Sequence, residues 1–392
     1  MLKGKNVLIG VCGGIAAYKA CELISLLKTA GCSIYTMMTK SAQEFITPLT
    51  LGTLTGHNVA CDMFEPPENY EVEHISLATL ADVIILVPAT ANVIGKIACG
   101  IADDFVTTTV MASKAPCIIA PAMNTGMYEN PVVQENIAKL KDRGYIFVEP
   151  AEGRLACGTV GKGHLAPIEQ IFDAVESVFV KKDLKGKRVL VTAGPTREAI
   201  DPVRFITNRS TGKMGYAIAK AAKHRGAEVT LVSGHTGLQP PFGVEVVKIE
   251  SACDMYREVT SRANLFDIII KSAAVGDFRP AEVADNKIKK NKMGTISLEK
   301  NPDILAELGN MGLSAKLVGF SMETENLLEN SAEKLRKKNL DMIVANNLKT
   351  EGAGFGTDTN VVTVIGKDGA EELPVMSKLE VAHAIFDRII KL

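Results

Sequence analysis

The sequence lacks several features that would assign it to common protein classes. It has no stretch of about 18 consecutive apolar residues, the length that a membrane-spanning helix needs. Its N-terminus predicts a strand and lacks the basic and apolar segments of a signal peptide. The eight cysteines form no C-x-x-C pair and no Cys/His cluster with zinc-ligand spacing. We therefore expect a cytoplasmic protein with reduced thiols and no membrane association.

Strong charge of one sign is also missing. The net charge of −1 argues against a nucleic acid or a membrane surface as partner. The two halves differ, however. Residues 1–182 hold 14 Lys and Arg against 18 Asp and Glu, whereas residues 183–392 hold 30 against 27. The second half is therefore the better candidate for binding a polyanionic ligand.

Apolar strands alternate with helices twice along the chain. Continuous apolar strands such as Asn6–Val11 and Val83–Val87 are typical of a buried parallel sheet. The basic, apolar-poor segment Lys181–Arg188 predicts a linker, after which strand Arg188–Thr192 begins the second series. We predict an α/β protein of two Rossmann-like domains with mainly parallel sheets, at 1–182 and 183–392.

Small and polar residues follow the predicted strands of the first half. They are the pair Gly13–Gly14, the PATAN segment Pro88–Asn92 and the PAMNTGM segment Pro121–Met127. Such loops can hold the phosphate and the polar ring edge of a flavin, because ligands bind beyond the carboxyl ends of parallel strands. Each loop also has an ordinary interpretation: the glycines can serve tight packing, and Thr90 or Asn124 can cap a helix.

Two further residues of the first half are candidates for proton transfer. His74 precedes an apolar, helix-like run, although a lone histidine is more often a surface or capping residue. Cys157 lies in Gly153–Gly163, where four glycines in eleven residues predict a mobile loop. A lid carrying a proton donor fits this pattern, and an incidental cysteine in a flexible loop is the alternative.

Together, GGIAAYK, the histidine of EHISLA, PATAN, PAMNTGM and LACG resemble the homo-oligomeric flavin-containing cysteine decarboxylases, in particular the phosphopantothenoylcysteine decarboxylases. The resemblance implies that FMN oxidises the substrate thiol, carbon dioxide leaves and the reduced flavin returns the electrons. It implies that His74 acts in acid–base chemistry, Asn124 holds the substrate carboxylate and Cys157 protonates the enethiolate. Val93 departs from the threonine that often follows PATAN. The implied flavin contacts are Gly13, Gly14, Pro88, Thr90, Asn92 and Met123.

Three segments of the second half indicate a nucleotide site. Thr192–Gly215 joins a strand to a helix through Gly, Ser, Thr and basic residues, which predicts an anion site without the Walker A order. Lys271–Pro280 ends a strongly apolar strand; its Asp277 could coordinate a metal held by a polyphosphate, and Phe278 could stack on a base. Lys287–Lys290, the KIKK segment, predicts a triphosphate clamp or an ordinary solvated patch.

NRSTGKMG, AAVGDFRP, KIKK, NPDI, VGF and DMIVANN occur in the order found in the phosphopantothenoylcysteine synthetases, which they resemble. The resemblance implies that the carboxylate of 4'-phosphopantothenate attacks CTP with Mg²⁺ and releases pyrophosphate, and that the acyl-cytidylate then reacts with cysteine and releases CMP. Asn208 would contact the acyl-cytidylate, Lys287 would bind the triphosphate, and Asp277 would position the nucleotide and Mg²⁺. Gly276 departs from the more usual alanine. The other implied CTP contacts are Asn301, Pro302, Asp303, Ile304, Phe320, Lys334 and Lys338.

The sequence thus predicts a bifunctional enzyme of coenzyme A biosynthesis, and the resemblance suggests a homo-oligomer, in particular a dodecamer. One alternative is a non-enzymatic regulatory module, which the presence of both His74 and Cys157 disfavours. The other is a nicotinamide-dependent oxidoreductase. That class needs G-x-G-x-x-G after a strand with an acidic residue about 20 positions on, an arrangement that neither half shows.

Overall fold

The computed structural model describes residues 2–64, 72–154, 160–289, 294–323, 326–347 and 356–392. The chain divides into two compact units, Met1–Val180 and Lys181–Leu392. None of the helices in the described residues combines the length and the apolarity needed to cross a membrane.

The first unit contains a six-stranded sheet and a separate hairpin. Its strands are β1 Asn6–Val11, β2 Ser33–Met38, β3 Val59–Ala60, β4 Val83–Ala89, β5 Cys117–Pro121, β6 Ile146–Phe147, β7 Ala151–Arg154 and β8 Val160–His164. The sheet has the order β3-β2-β1-β4-β5-β6 with every neighbouring pair parallel, and β7 pairs with β8 as an antiparallel hairpin.

Helices cover both faces of this sheet. They are α1 Ala20–Thr29, α2 Pro48–Thr55, α3 Glu73–Leu80, α4 Ala91–Cys99, α5 Phe105–Ala112, α6 Thr125–Tyr128, α7 Pro131–Asp142 and α8 Ile168–Val178, with 3₁₀ turns at Ile15–Lys19 and Lys40–Glu44. Along β1, Val7 and Ile9 belong to the core cluster that includes α1 and α8, whereas Leu8 belongs to the cluster with α4, α5 and α7. Burial on both faces explains why the strands are continuously apolar, and each fully buried side chain contributes about 1.5–3 kcal/mol.

The second unit repeats the architecture with a larger sheet. Its strands are β9 Arg188–Ala193, β10 Arg197–Ala199, β11 Phe205–Thr207, β12 Glu228–Ser233, β13 Glu245–Lys248, β14 Ile268–Lys271, β15 Phe278–Pro280, β16 Leu298–Lys300, β17 Lys316–Glu323, β18 Met342–Asn347, β19 Thr359–Asn360, β20 Val362–Gly366, β21 Gly369–Glu372 and β22 Met376–Ser377. Its helices are α9 Lys213–His224, α10 Ala252–Thr260, α11 Ile304–Asn310, α12 Leu327–Lys337 and α13 Lys378–Ile389, with a 3₁₀ turn at Ala263–Leu265.

The order of the second sheet is β13-β12-β9-β14-β17-β18-β20-β21. Its first six strands are parallel, and β20 and β21 add antiparallel partners at one edge. Three antiparallel pairs lie outside the sheet: β10 with β11, β15 with β16, and β19 with β22. The mainly parallel α/β fold that the sequence predicts is therefore confirmed for both units.

Each sheet reverses its strand order next to its first strand. In the first unit β2 lies on one side of β1 and β4 on the other; in the second, β12 and β14 flank β9 in the same way. The connections leave in opposite directions at these points and open a crevice at the carboxyl ends of the strands. The fold therefore predicts one ligand site in each unit, at the β1/β4 edge and at the β9/β14 edge.

The seven cysteines of the described residues are free thiols, and they differ in burial. Burial raises the pKa of the Cys12 and Cys117 thiols to about 12, whereas Cys99 is exposed. Because the thiolate is the reactive form, we expect iodoacetamide at pH 8 to alkylate Cys99 while Cys12 and Cys117 remain unmodified. Peptide mass spectrometry measures this, with protein unfolded in guanidinium as the fully reactive control. Rapid alkylation of Cys12 in the folded protein would contradict the burial of this residue directly after β1.

Candidate functional sites

A cavity of about 820 Å³ lies at the predicted edge of the first sheet. Its lining comes from the segments that follow β1, β2, β4 and β5, together with the end of the β7–β8 hairpin. The polar and glycine residues among them are Gly13, Gly14, Tyr18, Lys19, Thr39, Lys40, Ser41, Thr90, Asn92, Lys96, Asp104, Asn124, Gly163 and His164. The volume and the mixed lining are those of a site for a cofactor-sized ligand.

Two glycines allow the walls of this cavity to approach each other. A Cβ atom on Gly13 would lie 2.4 Å from the Cβ of Ser41, so only glycine lets the loops after β1 and β2 meet. A Cβ on Gly163 would lie 2.2 Å from the Met123 carbonyl oxygen, and the Gly163 carbonyl accepts a hydrogen bond from the Met123 N–H at 3.0 Å. Both contacts bring backbone close to the space that a ligand would occupy.

Thr90 and Asn124 cap helices and line the cavity at the same time. The Thr90 hydroxyl accepts a hydrogen bond from the Val93 N–H at 3.4 Å and opens α4. The Asn124 side chain accepts one from the Gly126 N–H at 2.9 Å and opens α6. The capping interpretation and the binding interpretation of these residues are therefore compatible, because the caps face the crevice.

A charged group closes one side of the cavity. The Lys96 ammonium, one turn after Asn92 on α4, pairs with Asp103 at 2.7 Å and with Asp104 at 3.1 Å. The hydrogen bond to Asp103 raises the pKa of Lys96, so this lysine stays protonated. Asp104 also caps α5 through Thr107, which fixes the carboxylate.

Three residues predicted for this site lie elsewhere or are not described. His74 is on α3, and its ring meets the Phe105 ring edge-on at 6.2 Å between centroids. Neither His74 nor Pro88 contributes to the described lining of the cavity. Cys157 lies outside the described residues.

The second unit has a cavity of about 560 Å³ at the carboxyl ends of β9, β14, β17 and β18. Asn208, Asp277 and Phe320, three of the predicted site residues, contribute to its lining. The Asn208 amide donates to the Ala274 carbonyl at 3.1 Å, which ties the loop after β11 to the loop after β14.

Two lysines and a helix N-terminus lie at one end of this cavity. The N-terminus of α9 faces it, and Lys213 and Lys378 line it, with Lys213 paired to Asp358 at 2.7 Å. Burial lowers the pKa of Lys378, and the charge of Lys213 adds to this effect. The Oδ1 atom of Asn346 is buried in the same wall and has no hydrogen-bond partner among the described residues. An anion at the helix N-terminus, with a donor group facing Asn346, would satisfy these features.

A hydrogen bond and an ion pair link four of the predicted nucleotide residues, Asp277 with Asn301 and Asp303 with Lys338. Asn301 donates its backbone N–H to the Asp277 carbonyl at 2.9 Å and its side-chain amide to the Gly276 carbonyl at 2.8 Å. Asp303 caps α11 and pairs with the Lys338 ammonium at 2.7 Å. The structure therefore brings the segments at 277, 301–304 and 338 together, with Ile304 buried beneath them.

Three other predicted nucleotide residues are exposed, whereas Pro302 and Phe320 are half-buried. Phe278 begins β15 with 46% of its surface accessible, Lys334 lies on α12 one turn before Lys338, and Lys287 follows β15. Lys290 of the KIKK segment lies outside the described residues. The exposed Phe278 next to Asp277 and the exposed Lys334 one turn before Lys338 suit a ligand that carries both a base and phosphates.

Comparison with known proteins covers both units. Residues 1–180 match the family described as Flavoprotein, and residues 184–392 match the DNA/pantothenate metabolism flavoprotein C-terminal domain. The coenzyme A biosynthesis bifunctional protein CoaBC of Bacillus subtilis (strain 168) is 52% identical over 99% of this chain and 97% of its own length. That of Escherichia coli (strain K12) is 41% identical over the same shares.

The chain belongs to the family of bifunctional coenzyme A biosynthesis proteins. It is therefore an enzyme with a decarboxylase and a ligase activity, as the sequence predicts. Among solved structures, a C-terminal domain of a coenzyme A biosynthesis bifunctional protein is 48% identical, with a TM-score of 0.46, over 52% of this chain and 94% of that one. A phosphopantothenoylcysteine (PPC) decarboxylase mutant complexed with pantothenoylaminoethenethiol is 30% identical, with a TM-score of 0.40, over 44% and 97%.

Sequence reasoning missed several residues that line the two cavities. Thr39 and Ser41 follow β2, so the strand-end argument applied to PATAN would have found them. Lys96 lies four positions after Asn92, which a helical spacing would have indicated. Asn360 and Lys378 had no local signal, because only the closing of β19 and α13 onto the sheet brings them to the cavity.

Lys271, at the end of β14, is expected to lose its proton at an unusually low pH. Burial lowers its pKa to about 8; Asp303 and Asp277 oppose this shift and Lys338 adds to it. In protein with ¹³C-labelled lysine, one resonance should titrate near pH 8, well below the ordinary lysine value of about 10.4. The Lys271→Gln variant should lack that resonance and keep the others. Titration of every lysine above pH 10 would contradict this placement.

Proposed function

We propose that the first unit binds FMN and decarboxylates phosphopantothenoylcysteine, and that the second joins 4'-phosphopantothenate to cysteine with CTP and Mg²⁺. The observation that carries the proposal is that each unit has a polar cavity at the point where its strand order reverses, lined by residues of the motifs named above. The similarity to bifunctional coenzyme A biosynthesis proteins over the whole chain supports the pairing of the two reactions.

The first cavity fits a flavin mononucleotide by its chemistry. The glycines after β1, with Ser41 and the nearby Lys40, would receive the phosphate, since small residues and lysines leave room and charge for an anion. Thr90, Asn92 and the backbone at Met123 would bind the polar ring edge. When bound, the flavin supplies reversible oxidation of the substrate thiol. The match of residues 1–180 to the Flavoprotein family supports a flavin cofactor.

The residues of the chain then handle the substrate. Asn124 would hold the substrate carboxylate with its amide N–H while its oxygen stays on the α6 cap. Holding the carboxylate against the flavin site orients the bond that breaks. His74 and Cys157 remain the predicted acid–base groups, Cys157 as the proton donor to the enethiolate.

In the second unit the two ends of the site would take different anions. The α9 N-terminus with Lys213 and Lys378 would bind the phosphate of 4'-phosphopantothenate, and Asn346 would accept a hydrogen bond from its hydroxyl or amide. The network at Asp277, Asn301 and Lys338 would bind CTP. Asn208, between these regions, would contact the acyl-cytidylate.

Asp277 would hold Mg²⁺ together with the triphosphate, since Mg²⁺ prefers carboxylate and phosphate oxygens as ligands. Lys287 would stabilise the charge that develops as pyrophosphate leaves. Phe278, Pro302, Ile304, Phe320 and Lys334 would complete the surroundings of the nucleotide.

The free thiols suit a reducing, cytoplasmic setting. We propose that the chain works there as a homo-oligomer, with a dodecamer as the expected assembly. Large exposed apolar side chains in the first unit support an interface there, among them Leu49 at 79% and Phe64 at 89% accessibility.

The purified protein should release both pyrophosphate and carbon dioxide from 4'-phosphopantothenate, cysteine, Mg²⁺ and CTP. Removal of cysteine should stop carbon dioxide release, because no decarboxylase substrate forms. The two products are measured separately, with ATP in place of CTP as the comparison. Release of pyrophosphate without carbon dioxide by flavin-loaded protein would contradict the assignment of the first unit.

Thr90→Val should lower flavin retention, because it removes the hydroxyl that caps α4 and faces the cavity. We expect a loss of about 1 kcal/mol of stability from the missing cap and a smaller flavin-to-protein absorbance ratio. Thr90→Ser keeps the hydroxyl and serves as the matched control. Equal flavin content in the valine and serine variants would show that Thr90 does not bind the cofactor.

A further inference from the structure

Lys287 lies in a segment with no regular structure to hold it. Between β15 and β16 the described residues 281–289 and 294–297 form neither helix nor strand, and Lys287 itself is exposed. A lysine side chain has four rotatable bonds, so its ammonium group is held in a defined position only if the backbone of the residue is fixed. The position of this residue therefore depends on contacts made by its neighbours.

A buried carboxylate supplies one of these contacts. Asp201 is only 2% exposed, and its Oδ1 atom accepts hydrogen bonds from the backbone N–H groups of Val203 and Arg204, each at 2.9 Å. Its Oδ2 atom accepts from Arg204 Nε at 2.9 Å, from Arg204 Nη2 at 2.5 Å and from the Ile288 backbone N–H at 3.2 Å. All of these hydrogen bonds except the one from Ile288 lie within the turn at 201–204, which makes the turn rigid. The remaining bond joins the turn to Ile288, 87 residues further along the chain.

Two further contacts fasten the same segment. The Arg204 Nη2 atom donates to the Ile288 carbonyl at 3.0 Å, so the Asp201–Arg204 pair binds both the N–H and the carbonyl of that residue. The Ala284 N–H donates to the Ile200 carbonyl at 3.1 Å. The turn at 200–204 thus holds the chain on both sides of Lys287, at 284 and at 288.

We propose that Asp201 and Arg204 are positioning residues that fix Lys287 for contact with the nucleotide triphosphate, an inference that rests on the proposed ligase function. Neither residue needs to touch the nucleotide. The hydrogen bonds from Arg204 hold the pKa of Asp201 well below its usual range, so the carboxylate stays ionised over the pH range in which the enzyme would work. Fixing one flexible charge before the nucleotide binds reduces the entropy lost on binding.

The test is a double-mutant cycle between Asp201→Asn and Lys287→Gln. Asp201→Asn keeps the size of the side chain but gives up the charge that binds Arg204 and the Ile288 N–H. We expect it to weaken CTP binding, measured by calorimetry, and to lower kcat/KM for CTP, each by about 10-fold or more. In the Lys287→Gln background the same change should cost less than about 2-fold, because the lysine that Asp201 positions is already absent.

Asp267→Asn is the matched control. Asp267 also accepts a backbone N–H, that of Arg188 at 2.8 Å, and a lysine ammonium, that of Lys187 at 3.2 Å, but it lies before β14 at the amino end of the sheet. This variant should keep the CTP affinity of the unmodified protein. Carbon dioxide release from supplied phosphopantothenoylcysteine and the thermal unfolding curve report whether each variant is folded.

Arg204→Lys is a second variant, for use if Asp201→Asn does not fold. It keeps the positive charge but loses the guanidinium that bonds to both Asp201 and the Ile288 carbonyl. A loss of CTP affinity that vanishes in the Lys287→Gln background would support the proposal for this variant as well. Equal losses in both backgrounds, or no loss in either, would overturn it. Absence of any CTP binding by the unmodified protein would instead contradict the ligase proposal.

Discussion

The parallel direction of the strands is the constraint on which both sites depend. Parallel strands bring their carboxyl ends to one edge, so segments far apart in the sequence, such as those after β1 and β5, meet there. Helices on both faces bury the sheets and leave that edge as the place where polar groups can converge. In the first unit the crevice beside the first strand holds most of the candidate site residues, whereas in the second unit it holds Asn208, Asp277 and Phe320.

At three helix N-termini the same side chain both stabilises the helix and belongs to a candidate ligand site. Thr90, Asn124 and Asp303 each open a helix and each belongs to a candidate site. A cap contributes about 1 kcal/mol, and its location at the end of a strand-to-helix loop also faces the ligand. For this reason a sequence signal for a cap and one for a binding residue cannot be separated by residue type alone. Position distinguishes the two roles: a cap that follows a strand ending at the crevice is a candidate binding residue.

Most of the sheet strands could be predicted because they are apolar on both faces. Val83–Val87 was expected to end before Pro88, yet β4 continues to Ala89 with a register shift against β5, since a strand end can accept proline at such an irregularity. The short pairs β10–β11 and β15–β16 were not predicted, because their exposed, mixed residues carry no periodic apolar pattern. Register and pairing of such strands are set by the tertiary fold.

The candidate sites were only partly accessible to sequence reasoning. Motif residues that follow strands, such as Asn92 and Asn208, reach the cavities as the strand-end argument predicts. Asp104 and Lys378 reach the cavities because α5 and α13 pack there, and no pattern in the neighbouring sequence indicates this packing. The helix that carries His74 was anticipated, but its contact with Phe105 follows from the packing of α3 on α5 and could not be foreseen.

We infer that one chain holds two separate catalytic sites, one in each cavity. The most direct test mixes two variants, Asn124→Asp and Asn208→Asp, each of which should fail in one reaction only. Asn124→Asp preserves the α6 cap but opposes the substrate carboxylate, so it should release pyrophosphate and little carbon dioxide. Asn208→Asp should stop at the acyl-cytidylate, so from 4'-phosphopantothenate it should release about one pyrophosphate per site and no carbon dioxide. We predict that the mixture restores carbon dioxide release; a mixture that releases no more carbon dioxide than either variant alone would contradict the assignment of two separate sites.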